Sequence, residues 1–218
     1  MLSVVIPALN ASHGLRACLA ALEGADEIML VDGGSNDGTP LLAATMGARV
    51  IEAPRGRGVQ LHLGASAARG DWLLFLHADT QLADGWREAV AAHVTHHPHE
   101  AGYFALRLDD QAWQARLIEL GVALRSRWLG LPYGDQGLLI SRHLYDAIGG
   151  FRALPLMEDV DLVRRIGRKR LRRLAVRALT SADRWRRDGW AHRSGRNLAC
   201  LALYRLGVAP ARIATLYR

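Results

Sequence analysis

The apolar run Trp72-Leu73-Leu74-Phe75-Leu76 stops at His77-Ala78-Asp79, directly before a polar turn. A run of this kind reads as a strand buried on both faces of a parallel sheet. Ligands gather beyond the carboxyl ends of such strands, so an imidazole and a carboxylate two residues apart can meet a metal ion and the phosphates it carries. Asp79 is also a suitable cap for a helix starting near Asp84. A second segment, Val31-Asp32-Gly33-Gly34-Ser35-Asn36-Asp37-Gly38-Thr39, leaves a strand, turns through glycines and enters a helix. Asp32 at the strand end can accept a hydrogen bond from a base imide or a ribose hydroxyl, whereas Asp37 reads as structural and the loop as a whole is rich in N-cap types.

Two further segments carry charge at helix starts. Arg55-Gly56-Arg57-Gly58 sets two guanidiniums about a helix N-terminus, where donors and dipole together suit a diphosphate; a solvated turn is the competing reading. Met157-Glu158-Asp159-Val160-Asp161 puts acids in a first helical turn, which complements the dipole and also presents a carboxylate as a general base. His93, His96, His97 and His99 have some metal-ligand spacing, but their place at a helix end beside Pro98, without cysteines, favours a structural reading. No Gly-x-Gly-x-x-Gly or Walker pattern occurs, which argues against a dinucleotide or a P-loop triphosphate.

The elements that must hold these residues alternate. Strand-like runs at Leu2–Ile6, Glu27–Val31, Arg49–Glu52 and Trp72–Leu76 are separated by amphipathic stretches near Ser12–Glu23, Thr39–Met46 and Val59–Arg69, the pattern of βαβ units on a parallel sheet. The spacing further predicts helices near Asp84–Thr95, Gln111–Trp128, Leu144–Ile148 and Asp159–Arg168, and strands at Tyr103–Leu108 and Gly137–Ile140. In the Gln111–Trp128 helix, Trp113, Leu117, Leu120, Leu124 and Trp128 form an apolar stripe expected to face the core or a partner.

The 218 residues suffice for one sizeable core, and no linker-like stretch divides them. The net charge of +7 is uneven: residues 160–218 carry 16 Lys and Arg against 3 Asp and Glu, and residues 1–159 carry 12 against 18. Such a basic end suits nucleic acid, an anionic membrane surface or a phosphate-bearing substrate, although the near-exclusive use of Arg can equally reflect genome composition. Cys18 and Cys200 lie in apolar helical patterns and read as buried thiols of a reducing compartment. With neither a secretory leader nor an apolar run of about 18 residues, the expected location is cytoplasmic, with contact at the inner face of the membrane left open. The tail Asn197–Tyr217 sets Leu198, Leu201, Ala202, Leu206 and Val208 among arginines, a pattern for packing on the domain or for interfacial binding, packing being favoured.

Taken together, the Val4–Asn10 start, the Val31–Thr39 loop, Gly70-Asp71, His77-Ala78-Asp79, Gly134-Asp135-Gln136-Gly137, Gly149-Gly150-Phe151 and Glu158–Leu162 resemble the family 2 inverting glycosyltransferases of the GT-A fold. More narrowly, they resemble the short bacterial branch described as radical-SAM/selenodomain-associated. The resemblance covers nearly the whole chain, and it is the order and spacing of the motifs that make it specific. It implies an α/β, Rossmann-like, mostly parallel sheet flanked by helices, with a basic helical C-terminal segment. Residues 1–100 would bind the nucleotide sugar, 101–180 the acceptor, and 181–218 would form the basic segment of one glycosyltransferase domain.

The resemblance also assigns roles. Pro7, Asn10 and Asp32 would line the nucleotide pocket, and Asp79 with His77 would bind Mn²⁺ or Mg²⁺ on the diphosphate of a nucleoside-diphosphate sugar. Asp159 of the Glu158-Asp159 pair would be the base that activates an acceptor hydroxyl, with Gly134, Asp135 and Gln136 near the sugar. Three departures bear on the donor: His77 stands where the first Asp of Asp-x-Asp is usual, Gly33 where a second Asp often follows Asp32, and Ala11-Ser12 where a Glu often follows Asn10. Ser181-Ala182-Asp183-Arg184-Trp185 matches the Gln-x-x-Arg-Trp motif of processive synthases except at Ser181, so a single-addition enzyme is expected, with Arg186, Arg187 and Trp190 over the diphosphate or on lipid. A nucleotidyltransferase would show a Leu-x-Gly-Gly loop after the first strand, which Pro7-Ala8-Leu9-Asn10 lacks. A nucleic-acid- or membrane-binding protein with a degenerate nucleotide fold is the alternative outside enzymes, nucleic acid being the less expected partner.

Overall fold

A computed structural model describes residues 1–217. The first 75 residues form four parallel strands with three helices between them: β1 (Leu2–Ala8), α1 (Ser12–Ala20), β2 (Glu27–Asp32), α2 (Thr39–Thr45), β3 (Arg49–Glu52), α3 (Arg57–Ala67) and β4 (Trp72–Phe75). Val4, Val5, Ile6, Met29, Leu30, Val31, Leu73 and Leu74 are fully buried, as expected for strands covered on both faces.

Beyond β4 come β5 (Thr80–Leu82), α4 (Trp86–His96), β6 (Ala101–Leu108), α5 (Trp113–Leu129), a 3₁₀ turn at Gly134–Gln136, β7 (Leu138–Ser141), α6 (Arg142–Ala147), α7 (Glu158–Ile166) and β8 (Leu171–Thr180). The sheet order is β3-β2-β1-β4-β7-β6-β8-β5. Strand β7 runs antiparallel to both β4 and β6, and pairs Leu138 with Phe75. The turn before β7 therefore meets the carboxyl end of β4.

Strands β5 and β8 fall outside the elements expected from sequence. β5 has only three residues, below the length at which alternation is visible. β8 is longer, but its pairing with β6 slips between Tyr103–Arg173 and Ala105–Arg177, and this bulge breaks the period of two that marks a half-buried strand.

The chain ends in α8 (Asp183–Asp188), α9 (Trp190–Arg205) and α10 (Pro210–Tyr217). Cys200, Leu201 and Ile213 are buried in the same core cluster as Val5, Met29 and Phe75, so this part of the tail packs on the sheet layer. Leu198, Ala202 and Leu206 face solvent instead. The α5 stripe also departs from one of its two expected settings. The helix buries Ala115, Val122 and Ser126, and Trp113, Leu117, Leu120, Leu124 and Trp128 are exposed. Periodicity located the helix correctly, but small residues permit its close approach to the sheet and the large ones point away. Both cysteines are buried and free. Among the described residues, no helix is long and apolar enough to cross a membrane.

Candidate active-site cleft

Two loops from the parallel half are clamped together at the ends of β1 and β2. Asn10 has a left-handed backbone (φ 51°); its N–H donates to Ser35 Oγ (2.8 Å) and its Oδ1 accepts from the Asn36 N–H (3.0 Å). The Thr39 hydroxyl, with the Ser12 and Thr39 N–H groups, donates to Asp37 and holds its carboxyl well below the usual range. Asp32 is buried, and its Oδ2 takes the N–H groups of Gly34 (3.0 Å) and Ser35 (2.8 Å). Its carboxylate is thus engaged in shaping the loop.

Gln60 escaped the sequence reading. It is buried on α3, and its Nε2 donates to the carbonyls of Ala8 and Val31, both at 2.8 Å. It also accounts for Gly33: a Cβ there would stand 3.1 Å from Gln60 Nε2 and 3.4 Å from the Ala8 carbonyl. A lone amide on the buried face of a helix, with Leu61 and Gly64 beside it, was the available signal.

His77 and Asp79 alternate after β4 and point into one cleft. Its outer part is lined by Pro7, Asn10, Gly56, Arg57, Gln60, His77, Asp79 and Arg184, and its inner part by Arg57, His77, Asp79, Gly134, Asp135, Asp159, Arg184 and Trp185, among others. The inner part spans about 780 Å³ when the open solvent at its mouth is included. Asp79 and Asp159 thus face the same space, although 80 residues separate them.

Gly134 reports how tightly the two halves converge. A Cβ on it would lie 2.6 Å from His77 Nε2 and 3.5 Å from Asp159 Oδ2, and its N–H donates to that same oxygen (2.9 Å). Asp159 Oδ1 accepts from the Val160 N–H (2.7 Å). The residue that sets up this helix start is Met157, held in the left-handed region at φ 65°. Met157 and Asn10 are the non-glycine residues with positive φ among the described residues, and both line the cleft. Backbone strain of this kind concentrates at functional sites.

The electrostatics follow from burial. Glu158, 2 % exposed, lies 3.3 Å from Arg57 Nη1 in an ion pair that is not aligned as a hydrogen bond, leaving Oε1 without a partner. Burial raises the Glu158 carboxyl, Arg57 opposes this, and Asp159 adds to it. For Arg57, burial works against the charge, but Glu158 and Asp159 outweigh it and the guanidinium is held more firmly protonated. Burial, then Arg57 and Arg184, push the His77 imidazole well below its ordinary value, so it is neutral. Asp135 is raised to about 6 by burial and by the Asp159 and Asp79 carboxylates, against the pull of Arg125, and its Oδ1 is buried without a partner. Thr180 ties this corner together, donating to the Asp135 carbonyl (3.1 Å) and pairing with the Thr80 hydroxyl (2.9 Å).

The donor set fits a divalent cation shared with a ligand. A carboxylate at Asp79 and a neutral imidazole at His77 supply one oxygen and one nitrogen, with the unpartnered Asp135 oxygen in the same cleft. Among the described residues, no three or more His, Cys, Asp or Glu side chains form a closed metal cage. An ion held by these side chains would keep positions open for ligand oxygens and water.

Several expected residues stand elsewhere. Arg55 is exposed and outside the cleft lining. Gln136 lies behind the site, donating to the Phe104 carbonyl (3.1 Å) and accepting from Ser126 Oγ (2.8 Å). Arg186 is tied to Asp109, Asp110 and Asp183, and Trp190 packs in a small core with Leu108. His93 Nε2 is paired with the Glu100 carbonyl at 3.0 Å. From the tail, Arg193, Asn197 and Tyr217 form part of the cleft wall, with Arg193 Nη2 donating to Tyr217 Oη (2.8 Å). No spacing in the sequence marks them, because their role depends on how α9 and α10 fold back.

Residues 3–156 match the family described as Glycosyl transferase family 2, and the chain belongs to that family. Its sheet and helices have the GT-A fold, and the chain carries a glycosyltransferase domain. Among curated relatives, the PGL/p-HBAD biosynthesis glycosyltransferase of Mycobacterium bovis is 36 % identical over 116 residues, covering 47 % of this chain and 45 % of that protein. A glycosyltransferase of Mycobacterium tuberculosis is 37 % identical over 84 residues, 38 % of each chain. The chain thus spans less than half the length of these relatives. Among solved structures, S. aureus TarS 1–349 aligns with 99 % of this chain and 70 % of its own at a TM-score of 0.65 and 16 % identity. Glucosyl-3-phosphoglycerate synthase from Mycobacterium tuberculosis, in complex with Mn²⁺, UDP and glucosyl-3-phosphoglycerate, aligns with 83 % and 70 % at a TM-score of 0.56 and 20 % identity.

Proposed function

We propose that the chain transfers a sugar from a nucleoside-diphosphate donor to an acceptor hydroxyl with inversion at the anomeric carbon, in single additions. The observation that carries this reading is the convergence of His77, Asp79 and Asp159 on one cleft, with Gly134 between His77 and Asp159. Pro7, Asn10 and Gln60 line the side assigned to the nucleotide, and Arg57 and Arg184 the side assigned to the diphosphate. TarS has been seen with UDP-GlcNAc and the phosphoglycerate enzyme with Mn²⁺ and UDP, which supports the same ligand class here. The motif order supports the radical-SAM/selenodomain-associated branch.

Asp79 and His77 would hold a divalent cation, which when bound offsets negative charge on the diphosphate leaving group. Asp159, fixed by the Gly134 and Val160 N–H groups, takes the proton from the acceptor oxygen as it attacks. Glu158 and Arg57 are positioning groups: their ion pair anchors the start of α7 to that of α3. Neutral His77 leaves an imidazole lone pair available, which favours Mn²⁺ over the harder Mg²⁺.

A thermal-shift screen of nucleoside diphosphates with Mn²⁺ tests the reading. UDP or GDP should raise Tm by mass action, and Asp79→Ala should remove the shift. Asp159→Asn should keep the shift and lose transfer by about 10²-fold or more; unaltered turnover would eliminate Asp159 as the base.

A further inference from the structure

The inverted face of α5 is the largest feature the proposed reaction leaves unused. Trp113, Leu117, Leu120, Leu124 and Trp128 are each between 48 % and 68 % exposed. At about 100° per residue these five positions fall within an arc of roughly 80°, a continuous apolar stripe with an indole at either end. The helix has one carboxylate, Glu119, and it lies on the flank turned inward, ion-paired with Arg107 and Arg116. Asp109 and Asp110, just before the helix, are held by Arg186.

The rim of the stripe is cationic. Arg127 is exposed on the helix itself, and the exposed Arg168-Lys169-Arg170 turn abuts its C-terminal end, where a Cβ on Gly130 would touch the Arg168 side chain. Arg173 is likewise exposed on β8, next to Arg172, which is ion-paired with Glu100. Pairing two copies through this face would bring the cations Arg127, Arg168, Lys169 and Arg170 against their own image, and like charges oppose that contact. An anionic bilayer has the complementary chemistry: acyl chains for the leucines, an interfacial zone for the indoles and negative headgroups for the arginines.

We propose that α5 docks the protein on an anionic membrane surface, lying in the interface with its Trp113–Trp128 stripe toward the acyl chains. The helix runs directly into the 131–136 segment, where Arg125 stacks 3.4 Å over the Tyr133 ring and Gly134 and Asp135 line the cleft. Docking by α5 places the acceptor side of the cleft beside the bilayer, so an acceptor hydroxyl carried on a lipid would be presented there. The docking surface stands independently of the transfer reaction; only the placement of a lipid acceptor rests on it.

Flotation of the purified chain with phosphatidylcholine vesicles, with and without phosphatidylglycerol, tests the proposal. The chain should float with the anionic vesicles, stay behind with the neutral ones, and be released by high salt. The double variant Leu120→Glu/Leu124→Glu changes only exposed positions; it should keep the wild-type melting curve and lose vesicle partitioning by at least ~10-fold. Replacing Arg168, Lys169 and Arg170 with Gln should weaken binding without altering the fold. A wild-type chain that ignores both vesicle types overturns the proposal, as does a double variant that still floats. So does a sedimenting dimer that the double variant converts to monomer without any vesicle binding. A chain that floats yet shows no nucleotide-dependent Tm shift would retain the docking surface and sink the donor reading instead.

Discussion

Gly134 is the position where side-chain chemistry and backbone geometry cannot be separated. Its missing Cβ lets His77 Nε2 and Asp159 Oδ2 come together, and its N–H fixes the carboxylate proposed as the base. Gly134→Ala should therefore push the imidazole away from the cleft and lower kcat/KM by about 10²-fold, with a loss of stability below ~2 kcal/mol; steady-state release of the nucleotide checks it. Asp135 makes a second prediction. Its folded value of about 6 against an ordinary 3.8 means that the folded chain binds the extra proton between these values. The stability this gives is complete at pH below the ordinary value and is lost as pH rises through about 6. In chelated buffer, Asp135→Asn should remove that decline, ending on the order of 2 kcal/mol more stable than the parent above the transition. Equal pH profiles of the two melting curves would contradict the burial of this carboxyl.

At the scale of elements, small contacts decide how the helices sit on the sheet. Arg142, at the start of α6, donates through Nε to the Gly70 carbonyl (2.9 Å), through Nη1 to Ala65 (3.0 Å) and through Nη2 to Ala68 (2.8 Å). The last carbonyls of α3 have no partner within the helix, and a cation at that end is favoured by the dipole as well. Arg142→Ala should cost about 2–3 kcal/mol, visible in urea unfolding, while leaving the cleft residues in place. A change of less than ~0.5 kcal/mol would mean that water replaces the guanidinium without loss. α5 teaches the complementary lesson. Its stripe gave the correct period, and its direction was decided by Ala115, Val122 and Ser126, whose small size permits close packing.

At the scale of the molecule, the parallel half was legible because β1, β2 and β4 are built on apolar runs and each connection from β1 to β4 contains a short amphipathic helix. The carboxylates of the cleft were legible too, since Asp79 and Asp159 stand at boundaries between apolar and polar sequence. The rest depended on tertiary contacts. Nothing local marks Arg193 or Tyr217 as cleft residues, and the slipped pairing of β8 erased its alternation. Gln136, conspicuous in sequence beside Asp135, turned out to hold the turn from behind, through Ser126 and Phe104.

Strand β7 reverses the direction shared by β1 to β4. Because that strand runs against β4, the loop entering it arrives where the loop leaving β4 departs, and the surfaces contributed by the two stretches of chain abut along a single seam. Neither stretch threads through the other. A substitution that stays on its own bank leaves the opposite one standing, whereas one that reaches across, as a Cβ on Gly134 would toward His77, disturbs both.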